Sequence, residues 1–346
     1  MFHRWRRMHE EDRARVWRLY GWFSALMACG SCVGVVAWTA RMMNLVNLFK
    51  GNFGNPQLEV PSLLAVAFSW FAAFHVTYAV EFLCLTAAQL MVLDRMSIFA
   101  APEGSAARRR WATAGRVVMA AAVLGNAVGL AGNLASAVYY QKASEASSAA
   151  SACYAANNTE KGDEYRQERI GFVQLGGSIL SVQRFCEVAV LVVIIASYLV
   201  AGLLSARRVT SRLLDVDAAS SAAAAGRALR RRMVGTTAFV FTAFLIRSVL
   251  STMTAISYEL RDLDKACAGG ACDAECHNVH THIVAWMVYT PAFEATIVLL
   301  SSPLALLVAL WGMTPRSTLQ LMKSTRQKIE VSLRTMHGRQ KHAREL

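Results

Sequence analysis

Proline and charged residues are both scarce in this chain. Only six of its 346 residues are proline and 17% are charged, whereas 55% are hydrophobic. So few prolines leave long helices uninterrupted, and so little charge with a positive mean hydropathy excludes the average soluble globular composition. The ten-residue alternation of an outer-membrane barrel is missing as well. The composition therefore predicts an all-α membrane protein.

The sequence motifs of several functional classes are also missing. No HExxH, GxSxG or DxxxD-like group lies at a helix end where substrate and water would meet. There is no clear inverted repeat, regularly spaced arginine voltage sensor or selectivity-filter motif. The 36 Lys/Arg exceed the 23 Asp/Glu, but no basic stripe is interleaved with exposed aromatics. We therefore expect no enzymatic activity, no cofactor and no nucleic-acid partner.

Six apolar runs each reach the length of about 20 residues that crosses a bilayer as a helix. They lie at residues 19–40, 62–92, 112–140, 171–204, 234–258 and 282–312. Because lipid offers the backbone no hydrogen-bond partner, each run must be helical. We predict a six-helix transmembrane domain at 19–312, preceded by a basic arm at 1–18 and followed by a basic tail at 313–346.

Lysine and arginine are unevenly distributed among the segments that join these runs. The arm, the tail and the loops at 94–111 and 206–233 hold 25 of them, whereas the three alternate loops hold 8. Basic residues accumulate on the cytosolic side of membrane proteins. Both termini are therefore predicted to be cytosolic, in the plasma membrane or an endomembrane.

Ionisable side chains occur inside the apolar runs, where an unpaired charge is costly. They are His75, Glu81, Arg184, Glu187, Arg247 and Glu294. Arg184 and Glu187 are three residues apart, so they either pair along one helix or join a network between helices. Arg247 and Glu294 both fall near the midplane by residue count, which makes Glu294 the expected partner of Arg247, with Glu81 as the competitor. We predict an intramembrane polar network.

The third run carries two asparagines, Asn126 and Asn133. They are seven residues apart, which places them on roughly one face of a helix. Polar side chains in a membrane helix hydrogen-bond across helix contacts, so this face is expected to meet a neighbouring helix rather than lipid.

The predicted non-cytosolic loop at 141–170 contains the sequon Asn157-Asn158-Thr159, the only N-x-S/T sequence in the chain. Acceptor asparagines are modified in exposed loops of secretory-pathway proteins. Because the loop is assigned to that side independently, from the basic residues, we predict glycosylation of Asn157.

Four cysteines fall in the predicted non-cytosolic loops, and three of them stand near histidines at 277, 280 and 282. They are Cys153, Cys267, Cys272 and Cys276. A zinc site is one interpretation of such a cluster, but an oxidising compartment favours disulfides. We predict disulfides and no metal, with three connectivities open.

Two basic segments are candidate surfaces for a cytosolic protein partner. One is the 206–233 loop, the most basic of the chain. The other is a predicted amphipathic helix at 314–337, which begins with Thr314 as N-cap and Pro315 at the first helical position. This helix most simply lies on the bilayer surface, although a calmodulin-type or coiled-coil partner would use the same face.

The stretch TTAFVFTAFLIRSVLSTMTAIS at 236–257 resembles the sixth helix of the plant seven-helix family of tobamovirus multiplication and THH-type proteins. In that family FLIR is followed by a short lumenal segment and a last helix with a glutamate, matching residues 244–247 and Glu294 here. The resemblance implies a seven-helix receptor-like bundle without its first helix, with 314–337 in place of the eighth. It also implies a receptor-like protein that recruits cytosolic partners without enzymatic chemistry.

Two functions from different classes are compatible with these features. A receptor-like or scaffolding multipass protein is the first expectation. An ion- or proton-coupled transporter or channel is the alternative, because Glu81, Glu187 and Glu294 with His75 are groups that relay protons or bind cations.

Overall fold

The computed structural model describes residues 10–53, 60–101, 105–214 and 221–260, with six isolated positions between 286 and 308. Within this part of the chain the backbone forms five long helices. They are α1 (Glu10–Phe53), α2 (Pro61–Ala100), α3 (Ser105–Ala155), α4 (Thr159–Leu214) and α5 (Ser221–Leu260). The all-α prediction is confirmed for these residues.

Each of the five helices contains a stretch long and apolar enough to cross a membrane. The stretches are Gly21–Gly51, Pro61–Asp94, Ala106–Ala155, Thr159–Arg208 and Arg230–Ile256. They overlap the first five predicted runs, and the protein is an integral membrane protein by this criterion of length and composition. The sixth predicted run, at 282–312, and the tail from 313 lie outside the described residues apart from the isolated positions.

Helix α2 begins where the sequence carries the proline that suits a first helical position. Pro61 has no N–H to satisfy, and its fixed φ matches a helix. The Val60 carbonyl accepts the N–H of Leu64 at 3.2 Å, and the Val60 N–H donates to the Gly51 carbonyl of α1 at 3.3 Å. The second bond holds the end of α1 against the beginning of α2.

Helices α3 and α4 form a helical hairpin, so the prediction of a polar loop at 141–170 is wrong. Only residues 156–158 form the turn. Asn157 has a φ of 59°, and the N–H of Asn158 donates to the Cys153 carbonyl at 2.9 Å, which is a Schellman ending. The Asn158 side chain then caps α4 by accepting the Lys161 N–H.

Small residues explain why the hairpin replaces the expected loop. Ala143 and Ala150 are buried, and alanine is the strongest helix former. Gly162 lies against the ring of Tyr154, where an added Cβ would come within 2.5 Å of Cε1. The Tyr154 hydroxyl donates to Asp163 Oδ1 at 2.7 Å. The composition of the 141–170 segment, which predicted a loop, therefore supports two closely packed helices.

Each helix packs on its neighbours in the chain, and α2 also packs on α4. One apolar cluster includes Phe23 of α1, Leu85 of α2, Ile194 of α4 and Phe244 of α5. A second cluster lies nearer the α3–α4 turn and is built from α1, α2, α3 and α4. Helices α2 and α4 contribute to both clusters, and each packs on three other described helices.

The outer surface of the spanning stretches is apolar. Exposed side chains include Val35, Val117, Leu124, Val182 and Val249. Large side chains of this type do not remain in water when a buried alternative exists, but they suit contact with acyl chains. The distribution agrees with a bundle that faces lipid on its outside and holds its polar groups inside.

Candidate functional site

A cluster of charged and hydroxyl side chains joins α2, α4 and α5 within their spanning stretches. Its centre is the Tyr78 hydroxyl of α2, which donates to Glu187 Oε1 of α4 at 2.7 Å. Arg184 Nη1, one turn before Glu187, donates to the Tyr78 hydroxyl at 2.7 Å and to Glu187 Oε2 at 2.8 Å. We call Tyr78, Arg184, Glu187 and Arg247 the charge cluster.

Arg247 brings α5 into the charge cluster. Its Nη2 lies 3.4 Å from Glu187 Oε1 and 3.3 Å from the Tyr78 hydroxyl. Ser251, one turn further along α5, donates to the same Glu187 oxygen at 3.5 Å. The carboxylate of Glu187 therefore accepts hydrogen bonds from side chains of three helices.

Aromatic rings of α2 cover both guanidinium groups. The Arg184 Cζ lies 4.4 Å from the centroid of Tyr78, and the Arg247 Cζ lies 5.4 Å from that of Phe82. A cation over a ring face is stabilised by the ring quadrupole, more so where water is excluded. The exposed fraction is 1% for Tyr78, Glu187 and Arg247 and 5% for Arg184. The charge cluster is thus a buried network rather than the lining of an exposed groove.

Glu81 lies beside the charge cluster and supplies the second carboxylate. Its exposed fraction is 1%, and it interacts electrostatically with Arg247, Glu187 and Arg184. Its Oε2 has no hydrogen-bond partner among the described residues. Two arginines and two carboxylates balance in formal charge, which reduces the cost of placing charge inside a membrane.

His75 lies one turn from Tyr78 on α2, outside the charge cluster. Its ring stacks on Tyr140 of α3 at 5.5 Å and meets Phe71 edge-on at 4.5 Å. Its exposed fraction is 0%, and neither ring nitrogen has a hydrogen-bond partner among the described residues. It is a buried polar group on the α2–α3 contact.

The structure places the residues of the predicted polar network as follows. Arg184, Glu187 and Arg247 meet in one cluster, Glu81 lies beside it, and His75 lies a turn away. Glu187 forms both of the predicted kinds of ion pair. Its Oε2 pairs with Arg184 of the same helix, and its Oε1 pairs with Arg247 of α5. The expected partner of Arg247, Glu294, lies outside the described residues.

Sequence reasoning missed Tyr78, which contacts every charged member of the cluster. Tyrosine is common in apolar runs, so composition alone gave no reason to select it. Its position three residues after His75 and three before Glu81 was the available signal, since such residues are neighbours on a helix. A buried phenol normally finds a hydrogen-bond partner.

Of the other predicted sites, only Asn157 and Cys153 lie among the described residues. Asn157 and Thr159 are exposed at the α3–α4 turn. Cys153, near the end of α3, forms no disulfide with a described cysteine. Its predicted partners at 267, 272 and 276 lie outside the described residues. Among the side chains that the structure describes, no three His, Cys, Asp or Glu residues converge as metal ligands would.

The fold and the charge cluster define a class: a polytopic helical membrane protein with a buried ionic core. Comparison with protein-family models, with curated proteins and with solved structures gives no match.

Proposed function

We propose that this chain is a receptor-like or scaffolding multipass membrane protein that recruits a cytosolic partner. The observation that carries the proposal is the charge cluster, whose members are buried and bonded to one another across α2, α4 and α5. Such a network stabilises one arrangement of helices. A fixed bundle suits a protein that presents surfaces, whereas a conduction path needs groups that water reaches.

The proposed docking surface is formed by the basic ends of α4 and α5, within the 206–233 segment. Arg207 and Arg231 are exposed there. Under the proposed topology this end is cytosolic, and the 314–337 helix lies next to the inner leaflet. A dense basic surface attracts acidic proteins as well as anionic lipid.

Photo-crosslinking in living cells tests the recruitment. A photoreactive amino acid replaces Arg207 or Arg231, and we expect a discrete protein adduct from at least one of these positions. The same amino acid at Leu124, on the lipid-facing side of α3, is the matched control and should give no protein adduct. The same set of protein adducts from the basic positions and from Leu124 would contradict the proposal.

The resemblance to the plant seven-helix family is carried forward as part of the same proposal. Under it, α5 corresponds to the penultimate helix of the family, and Arg247 is the arginine of its FLIR phrase. The observation in its favour is that this arginine contributes to the helix contacts of the bundle. Fold-level analogy carries limited weight for function, so the crosslinking result decides.

Proton-coupled transport is the second candidate, and the observation that favours it is the burial of Glu81 and His75. Both lie inside the spanning stretch of α2 with buried polar atoms that have no partner among the described residues. Intramembrane carboxylates and imidazoles of this kind form proton relays. Proton uptake into proteoliposomes, abolished by Glu81→Gln but retained in the exposed control Glu145→Gln, would support it. No uptake by the unmodified protein would exclude it.

A further inference from the structure

Several buried polar side chains lie where α2 meets α3. On α2 they are His75, Thr86 and Gln89, which are separated by eleven and three residues and therefore share one face. On α3 they are Asn126 and Asn133, seven residues apart. All five have exposed fractions of 5% or less. The expectation that the two asparagines face a neighbouring helix is confirmed.

The contacts between the two helices set which of these residues are level with each other. His75 stacks on Tyr140, and α2 and α3 run antiparallel. Moving seven residues from Tyr140 towards the start of α3 reaches Asn133, which lies beside the His75 ring. Moving seven more reaches Asn126. The Ser144 hydroxyl of α3 donates to the Ala65 carbonyl of α2 at 2.7 Å, and counting from that bond places Asn126 level with residue 83, between His75 and Thr86. The first layer therefore lies at His75 and Asn133. The second begins at Asn126, about 10 Å further along at 1.5 Å per residue, and extends to Thr86 and Gln89.

Helix α4 adds Gln183 to the first layer. Its Cβ approaches Gly132 of α3 so closely that an added Cβ at Gly132 would lie 2.8 Å away. The Gln183 Nε2 lies 3.9 Å from the corresponding position at Gly129. The Gly129 carbonyl accepts the Asn133 Nδ2–H at 3.0 Å. The side-chain amides of Gln183 and Asn133 therefore both lie next to Gly129.

Most polar atoms of the two layers have no hydrogen-bond partner among the described residues. Each asparagine donates its amide to the carbonyl four residues earlier and leaves its oxygen unbonded. The remaining unbonded atoms are both ring nitrogens of His75, both amide atoms of Gln183, the Thr86 hydroxyl and the Gln89 oxygen. The Asn133 amide is close to His75, but the pair does not reach hydrogen-bond geometry.

We infer that the two layers bind ordered water molecules inside the transmembrane bundle. Buried polar groups in folded proteins are almost always bonded to protein or to water, and lipid supplies neither donors nor acceptors. Water both donates and accepts, which matches a set containing amide N–H groups, amide oxygens, an imidazole and a hydroxyl. The inference holds for either proposed function.

Ions fit these layers less well than water. Arg184 and Arg41 both place positive charge near His75, which disfavours a cation in the first layer. The second layer contains the unbonded amide oxygens of Gln89 and Asn126, and carbonyl oxygens repel an anion. A neutral ligand that donates and accepts is the class that satisfies both layers.

Water-edited solid-state NMR on the full chain in lipid bilayers tests the inference, with bulk and bound water as the probe. The readout is the rate at which water magnetisation reaches the side-chain Nε2 of Gln89 and Gln183. Ala88–Gln89 is the only Ala-Gln pair in the sequence, so carbon-labelled alanine carbonyls identify the Gln89 backbone nitrogen without substitution. Glutamine labelled uniformly in carbon and nitrogen then connects that backbone nitrogen to the Gln89 Nε2 through the side-chain carbons. Gln183→Met identifies the second signal by its disappearance.

The matched control is the Ala88 methyl group, which is fully buried at the same depth of α2 as Gln89. We expect transfer to both amides to be at least three times faster than to Ala88 and slower than to the exposed Gln141. Transfer to Gln89 as slow as to Ala88 would overturn the inference. Because Gln89 is read in the unmodified protein, a folding defect of the Gln183 variant leaves the test intact.

Discussion

The Tyr78 hydroxyl donates one hydrogen bond to Glu187 and accepts from Arg184 and Arg247. A hydroxyl is suited to this position because it donates and accepts at the same atom. Without it, two guanidinium groups would share one carboxylate with no neutral group between them. Tyr78 is therefore the residue that lets two cations lie close together in a low-dielectric interior.

Replacement of Tyr78 by phenylalanine tests this role. The ring and its contact with Arg184 remain, but hydrogen bonds to charged groups are lost, so we expect destabilisation of about 1.5 to 3 kcal/mol. The measurement is thermal unfolding in detergent. Tyr139→Phe is the control, because the described contacts of Tyr139 are made by its ring. Equal melting temperatures for the two variants would show that the hydroxyl is not a structural centre.

The partner of Arg247 shows where residue-level prediction reaches its limit. Counting residues along an apolar run gives the depth of a side chain but not its direction around the helix. That count makes Glu81, Glu187 and Glu294 equally suitable partners for Arg247, and only the packing of α4 on α5 brings Glu187 within 3.4 Å of Arg247. The ionisable residues were therefore found from the sequence, but the pair between α4 and α5 was not.

At the scale of the elements, small residues determine how closely the helices pack. Gly202 of α4 lies against Thr237 of α5, where an added Cβ would come within 2.3 Å of Oγ1 and 2.6 Å of Cγ2. Threonine is branched at Cβ and has little rotamer freedom in a helix. Neither atom can move away without shifting the α5 backbone.

Alanine at position 202 should consequently weaken the α4–α5 contact. Overpacking of this kind costs about 1 to 3 kcal/mol, whereas replacing a helical glycine with alanine otherwise gains up to about 1 kcal/mol. Gly171→Ala, in the same helix with no neighbouring atom within 4 Å, should show only the gain. Thermal unfolding of both variants measures the contrast. A Gly202→Ala protein as stable as Gly171→Ala would refute the close contact.

The α3–α4 turn allows a separate test of the predicted modification. We expect Asn157 to carry a glycan, because the sequon is exposed at the tip of the hairpin. Asn157→Gly keeps the positive φ available and Thr159→Ala keeps the asparagine, and both should abolish a glycosidase-sensitive shift on a gel. Asn158→Gln retains the sequon and should keep the shift. A shift that survives in the first two variants would place the glycan elsewhere.

The sequence predicted the elements unevenly, for a physical reason. Runs of apolar residues identify α1, α2 and the spanning parts of α3 to α5, because lipid contact leaves a strong compositional signal. The 141–170 segment carries no such signal. Its alanines and serines support either a loop or a helix, and the choice depends on whether a second helix packs against them.

For the whole molecule, the uneven distribution of basic residues predicts which ends face the cytosol. A cysteine introduced for Arg231 should react with an impermeant maleimide only after the membrane is permeabilised, because that end is predicted to be cytosolic. A cysteine introduced for Glu164, in the exposed hairpin, should react in sealed right-side-out vesicles. Mass spectrometry of the labelled peptides separates these sites from the native cysteines. The reverse pattern would invert the topology and move the proposed docking surface to the wrong side.

Charged groups paired across the interior join three of the described helices. Helix α4 carries Arg184 and Glu187, and Arg247 of α5 contacts Glu187 and the Tyr78 hydroxyl of α2. Removing one member of a buried pair leaves an uncompensated charge, which costs about 3 to 5 kcal/mol. Removing both members of the Glu187–Arg247 pair leaves Arg184 with Glu81 as the neighbouring carboxylate.

A double-mutant cycle on Arg247 and Glu187 tests the central claim most directly. The free energy of unfolding is measured in lipid-like detergent for Arg247→Met, Glu187→Gln and the double variant, with Arg116→Met as an exposed-arginine control. We predict large losses for both single variants, little change for the control, and a double loss at least 1 kcal/mol smaller than the sum of the singles. Losses that add within about 0.5 kcal/mol would contradict a bundle held together by its charge cluster.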